Sequence, residues 1–186
     1  MIHLISLGFP TFTRLETLTN ITMTNRIIYI MGVSGSGKTT VGKLLSQKIA
    51  IPFFDADDLH SAANKEKMRS GQALNDEDRA AWLKKINELA VEQMQLKGAI
   101  IACSALKEKY RSVLSAGIGK PVWIFLQGSY EMIFGRMNNR KDHYMPASLL
   151  RSQFNNLEIP KDAMTINIEK EPEEIVELIR SRVSNP

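Results

Sequence analysis

The strongest constraint on this chain is the string GVSGSGKTT, Gly32 to Thr40, set directly after the apolar run Ile27, Ile28, Tyr29, Ile30 and Met31. It matches the phosphate-loop pattern GxxxxGK(S/T), with a buried-strand signal before it and a helix signal after it. Glycines at 32, 35 and 37 let successive amides turn toward phosphate oxygens where a side chain would collide. Lys38, in the first turn of the following helix, is spaced to reach β- and γ-phosphates, and the helix N-terminus adds partial positive charge. Thr39 offers a hydroxyl to magnesium. Gly32, Val33, Ser34, Gly35, Ser36, Gly37, Lys38, Thr39 and Thr40 are thus the expected cradle for a nucleoside triphosphate. The bland alternative is a glycine-rich tight turn without a ligand, which leaves the motif's fixed positions in strand and helix context unexplained.

Apolar strand candidates alternate with amphipathic helix candidates along the rest of the chain, which predicts a parallel sheet covered by helices on both faces. The helices are expected at 38–50, 62–69, 77–97, 105–116, through Ile133 and Met137 after a Ser129 cap, at 148–157, and from Pro172 onward. Strands are expected at 27–31, around Phe53 to Asp55, and at 99–102, 121–126 and 164–168. Five strands with interposed helices make a three-layer α/β domain over 25–186; periodicity leaves their order open. Residues 1–24, with Pro10 and few ionisable side chains, read as an N-terminal extension without the basic start and apolar core of a secretory leader.

A chain of 186 residues suits one domain with a sizeable core. No apolar run approaches the roughly 18 residues of a membrane span. The single cysteine, Cys103, excludes an intramolecular disulfide and fits a reducing compartment, hence the cytoplasm. Lys plus Arg number 24 against 20 Asp plus Glu, an excess that suits an anionic nucleotide and an anionic small substrate. No basic tail or aromatic-basic alternation points to nucleic acid.

Four further constellations carry candidate chemistry. DADDLH places Asp55, Asp57, Asp58 and His60 at the carboxyl end of the second strand, the edge that faces the ligand crevice in an open parallel sheet. There Asp57 can orient a substrate hydroxyl and accept its proton; the competing reading is an acidic helix cap. In LNDEDR, Asn75 or Asp76 can cap a helix and Asp78 can pair with Arg79, or Arg79 can hold a substrate carboxylate. Ser104, after the third strand, can bond a substrate oxygen, while Cys103 reads as a small buried hydrophobe and Arg111 faces either solvent or the anionic ligand. Arg136, Arg140, Lys141 and His143 concentrate charge in a polar insertion, either a solvated face or a lid whose guanidinium groups neutralise transferring phosphate and exclude water. Trp82 and Trp123 read as core or semi-core aromatics.

Together the strings GVSGSGKTT, DADDLHSAANKEKMRSGQALNDEDRAAWL, CSALKEKYR, LQGSYEMIFGRMNNRKDHYMPASLLRSQFNNLE and PEEIV, in that order, resemble the gluconate kinases, P-loop small-molecule kinases similar in fold to shikimate and adenylate kinases. The resemblance runs from about Tyr29 to the last helix. It implies phosphorylation of the terminal hydroxyl of D-gluconate by ATP with Mg2+, a lid near 138–146 and a homodimer. It further implies Thr39 and Asp55 at magnesium, Lys38, Asp57, Arg136 and Arg140 as catalytic groups, and Asp57, His60, Lys65, Arg79, Ser104, Arg111 and His143 around gluconate. One departure follows Glu158, where IPKDAMTI retains only Asp162 before the last strand; the resemblance implies that this region borders the nucleobase. Two alternatives remain open: a kinase for another small polyol or sugar acid such as shikimate, and a nucleotide-controlled interaction protein.

Overall fold

The computed structural model describes residues 25–138 and 148–184. The elements follow the sequence order β1 (Ile27–Met31), α1 (Lys38–Ile49), β2 (Phe53–Asp55), a 3-10 turn (Ala56–Leu59), α2 (Ala62–Arg69), α3 (Asp76–Met94) and β3 (Ala99–Ala102). Then come α4 (Glu108–Ser115), β4 (Val122–Gln127), α5 (Tyr130–Asn138), α6 (Ser148–Asn155), β5 (Met164–Asn167) and α7 (Pro172–Ser184). All pairings are parallel, in the order β2-β3-β1-β4-β5. The expected α/β class, with five strands between helical layers, is what the chain forms.

β1 is buried along its whole length because both faces of the sheet are covered. Ile28 and Ile30 point into a core made with Val41 and Leu45 of α1, Ile133 of α5, and Ile175 and Ile179 of α7. Ile27, Tyr29 and Met31 point into the other, against Trp82, Leu83 and Ile86 of α3 and Leu114 of α4. The alternation follows from the two-residue period of a strand. Truncating a fully buried side chain such as Leu45 or Ile86 costs about 2–5 kcal/mol.

Two helix boundaries differ from the sequence expectation by three residues, the others by no more than two. α3 stops at Met94, where the chain turns through Gly98 (φ 76), whose N–H donates to the Gln93 carbonyl at 2.8 Å. A Cβ at Gly98 would stand 2.3 Å from the Arg26 carbonyl oxygen, so only glycine fits this entry to β3. α4 begins at Glu108 rather than 105, because Ala105 adopts a left-handed conformation (φ 44) that no helix continues. Both departures are backbone events that apolar periodicity does not carry.

The topology puts the carboxyl ends of β1, β2 and β3 side by side, with Asp55 in register with Ala102, and Ala102 with Ile30. Strand order reverses next to β1, the position where open α/β sheets hold their ligands.

Candidate active site

The phosphate loop joins β1 to α1. Gly32, Gly35 and Gly37 have φ of 147°, 78° and 95°. A Cβ at Gly32 would lie 2.8 Å from the Leu126 carbonyl oxygen and from Ser36 Oγ, and one at Gly35 would strike Met137. The glycines therefore let the loop close against the end of β4 and the Ser36 side chain while α5 packs on it through Ile133 and Met137. Lys38 Nζ donates to the carbonyls of Gly32 and Val33, 3.0 Å each, so the ammonium is held across the loop mouth. Burial lowers its pKa below the usual lysine range, opposed by Asp57 and Asp55. Ser36 Oγ, close against Gly32, is buried without a hydrogen-bond partner, a polar atom of the loop left for a ligand to satisfy.

Thr39 Oγ1 donates to Asp55 Oδ2 at 2.7 Å, joining the start of α1 to the end of β2. Asp55 Oδ1 accepts the Asp57 N–H at 3.1 Å, so one carboxylate holds both the threonine and the backbone that carries the next acid. Desolvation raises Asp57 above the usual carboxylate range, against the attraction of Lys38 and Arg79. Among the described residues no group of three or more His, Cys, Asp or Glu side chains could hold a metal by itself. The Thr39–Asp55 pair fits magnesium, which binds through one or two protein groups with substrate phosphates and water supplying the rest.

The other side of the crevice is cationic and aromatic. His60 is buried, stacked on Trp82 with ring centroids 4.2 Å apart, and its Nδ1 has no hydrogen-bond partner. Desolvation, with help from Arg79 and Lys65, lowers its pKa to about 4, so the ring is neutral at physiological pH. Arg79 lies half-buried between two aromatic faces, 5.8 Å from the Trp82 centroid and 5.9 Å from that of Tyr110. Lys65 Nζ donates to the Asp58 carbonyl at 3.1 Å. Ser104 is half-buried just beyond β3. Asp57, His60, Lys65 and Arg79 thus belong to one electrostatic neighbourhood.

Two placements depart from the sequence reading. Arg111 is 4% exposed and does not reach the crevice: Nη1 donates to the carbonyls of Ala105 and Leu106 while Nε and Nη2 bind Glu108, so it stabilises the bend before α4. Asp78 pairs with Lys67 at 2.6 Å, not with Arg79, and completes a capping box with Asn75. The residues after Glu158 line a cleft with Arg111, Ser115 and Trp123. One cleft beside the phosphate loop, of about 380 Å³, is bordered by Arg136, Ile168, Lys170 and Pro172, beyond β5, and another holds Ile159 next to Val33 of the loop. Arg136 Nη2 donates to the Ile168 carbonyl there at 2.7 Å. Arg140, His143 and the expected lid lie outside the described residues, apart from Asn138 at the end of α5.

Three side chains outside the expected site set, Gln153 unmarked by any motif and Asp76 and Trp82 read as cap and core, pack around these groups. Gln153 of α6 accepts the Ser34 N–H at 2.7 Å and lines the cavity next to Arg79. Asp76, at the start of α3, accepts from Lys107, Lys109 and the Tyr110 hydroxyl, which lowers its pKa and ties the starts of α3 and α4 together. Trp82 donates its indole N–H to the Ala56 carbonyl at 2.7 Å. The spacing of Asp76, Arg79 and Trp82, three residues apart on one helix face, is the signal that would have grouped them. Cys103, as expected, is buried and inert, its thiol pushed up to about 12 by desolvation.

Comparison with known proteins gives a consistent picture. The shikimate kinase family model matches residues 34–184. A probable gluconokinase of Dictyostelium discoideum is 44% identical over 167 residues, covering 82% of this chain and 84% of the relative. The crystal structure of a gluconokinase from Sinorhizobium meliloti superposes with a TM-score of 0.78 at 34% identity, covering 87% of this chain and 93% of that one. An unliganded sugar kinase from Janibacter gives a TM-score of 0.79 at 39% identity, with 84% and 92% covered.

Proposed function

The chain belongs to the gluconokinase family of P-loop small-molecule kinases, and on that premise we propose that it phosphorylates D-gluconate to 6-phospho-D-gluconate by direct transfer from Mg-ATP. One observation supports this reading above the rest: Lys38 is held across the phosphate loop, and Asp55 joins Thr39 of that loop to the backbone of Asp57, whose carboxyl feels both the Lys38 ammonium and the Arg79 guanidinium. A donor grip, a proton acceptor and a carboxylate-binding cation are the three things that transfer to a hydroxy acid requires.

The loop amides and Lys38 hold the donor's phosphates, and the cleft bordered by Arg136, Ile168 and Lys170 takes its nucleoside end. Thr39 and Asp55 would hold magnesium, which supplies charge neutralisation on the phosphates. Arg79 receives the gluconate carboxylate, with His60, Lys65 and Ser104 on its hydroxyls. Asp57 orients the terminal hydroxyl and accepts its proton as that oxygen bonds to the γ-phosphorus and the bridging oxygen departs with ADP. Arg136, with Arg140 and His143 on a closing lid, stabilises charge on the transferring group and excludes water.

The same reading includes a homodimer, which light scattering measures directly, and a cytoplasmic location. Among the described residues no helix is long and apolar enough to cross a membrane. The activity is tested with ATP, magnesium and a panel of gluconate, shikimate, other sugar acids and nucleoside monophosphates, the product identified by mass. Gluconate should give the highest kcat/KM. Preference for shikimate would move the chain to the neighbouring substrate class, and nucleotide binding without transfer to any acceptor would favour the interaction-protein alternative.

A further inference from the structure

Trp82 touches both halves of the acceptor side at once. Its side chain is 2% exposed, and its one polar atom is spent on the Ala56 carbonyl at 2.7 Å. That carbonyl belongs to the peptide whose nitrogen is Asp57 N, and the same N–H is held by Asp55 Oδ1. The Ala56–Asp57 peptide is therefore gripped from both ends, its oxygen by the indole and its nitrogen by the carboxylate that also holds Thr39. The ring stacks on His60 at an interplanar angle of 10° and is one of the two aromatic walls beside Arg79. The second wall, Tyr110, is held through its hydroxyl by Asp76, one helical turn before Arg79.

Resting on the acceptor-site reading above, we propose that Trp82 is the positioning residue of the acceptor half: its N–H aims Asp57 at the hydroxyl, and its ring holds His60 and Arg79 where a polyhydroxy acid needs them. A large aromatic in a core requires none of these contacts; a leucine or phenylalanine would fill the space. The indole N–H, buried with its ring, finds its acceptor in the Ala56 carbonyl and so fixes the 3-10 turn Ala56–Leu59 that carries Asp57 against α3. The two functions of the side chain separate by substitution, since phenylalanine keeps a ring face and loses the donor while leucine loses both.

Trp82→Phe should lower kcat by about 10- to 100-fold, the scale of a small misplacement of a reacting group, with the gluconate KM within about twofold of wild type. Trp82→Leu should lower kcat similarly and raise the gluconate KM at least about tenfold, because Arg79 and His60 lose their wall. The ATP KM should stay within about twofold in both, all values being referred to folded enzyme by circular dichroism. A purely structural tryptophan would leave kcat and gluconate KM of the folded fraction unchanged in both variants, or move the ATP KM as far as the gluconate KM; either result overturns the proposal. A second measurement needs no Trp82 variant. In Trp123→Phe, Trp82 is the remaining tryptophan, and gluconate should change its emission saturably with a midpoint near the KM. No change with a gluconate-competent enzyme also overturns the proposal. Failure of the underlying reading is distinct, since wild-type protein would then transfer no phosphate to gluconate at all.

Discussion

Replacing Arg79 by leucine isolates the charge that the proposed substrate carboxylate requires. In the folded chain the guanidinium has two aromatic neighbours, at 5.8 and 5.9 Å, and no salt bridge to a described carboxylate. Each cation–π contact is worth about 0.5–1 kcal/mol at a half-buried site, and leucine recovers part of that by packing on the same rings. The stability loss should thus stay near 1 kcal/mol, a few degrees in Tm. Losing the charged hydrogen bonds to a bound carboxylate costs far more, about 2–5 kcal/mol. At 1.4 kcal/mol per tenfold, the gluconate KM should rise by about 30- to 4,000-fold while the ATP KM holds within about threefold. Arg79→Lys should fall between, since the charge remains and the fork is lost. The assay is a coupled spectrophotometric measurement with gluconate varied at saturating ATP, paired with a thermal melt. An unchanged gluconate KM in a folded Arg79→Leu enzyme would refute the assignment.

Asp57→Asn should cut kcat by about 10²- to 10⁴-fold with ATP binding intact, and the wild-type acid limb, lying above the usual carboxylate range, should disappear from the variant's pH profile. Because burial raises this carboxyl in the fold, ionising it costs stability, so Asp57→Asn should gain in Tm over wild type as pH rises through that pKa; melts at pH 5 and 8 read this. His60 behaves oppositely: its folded pKa of about 4 lies below the ordinary histidine value of about 6.5, so the unfolded chain binds the extra proton. Stability is complete above pH 6.5 and should fall by up to about 3 kcal/mol toward pH 4, a slope that His60→Asn should flatten in denaturant titrations. Gln153→Glu puts a carboxylate beside the Ser34 amide and should raise the ATP KM about tenfold or more, with a smaller effect on gluconate.

What the sequence made legible was whatever follows from spacing within one segment. The loop glycines, Lys38 and Thr39 come from a contiguous string, and the fully apolar β1 announces a strand buried on both faces. Strand order, by contrast, depends on which hydrophobic faces meet, and no local period encodes it. Arg111 shows the limit for single side chains. Its sequence position permits solvent, ligand or backbone as partner, and the left-handed turn at Ala105 presents the Ala105 and Leu106 carbonyls to the guanidinium, the second of them shared with the Glu158 N–H. Asp78 likewise found Lys67 on α2, eleven residues away, because the capping box turned it toward that helix. Trp82 reads from sequence only as core, which its burial bears out, and Gln153 carries no charge to mark it; their contacts at the crevice emerge only when α3 and α6 are laid against it.

The central claim is that the γ-phosphate passes directly from a donor held by the loop and Lys38 to an alcohol presented by Asp57. A rapid-quench single turnover with γ-labelled ATP, excess enzyme and gluconate measures this most directly. The label should move to the 6-phosphate of gluconate in one phase, without protein-bound label, and that phase should vanish in Lys38→Ala. Label recovered only as inorganic phosphate, trapped on the protein, or transferred equally fast by Lys38→Ala would contradict the account.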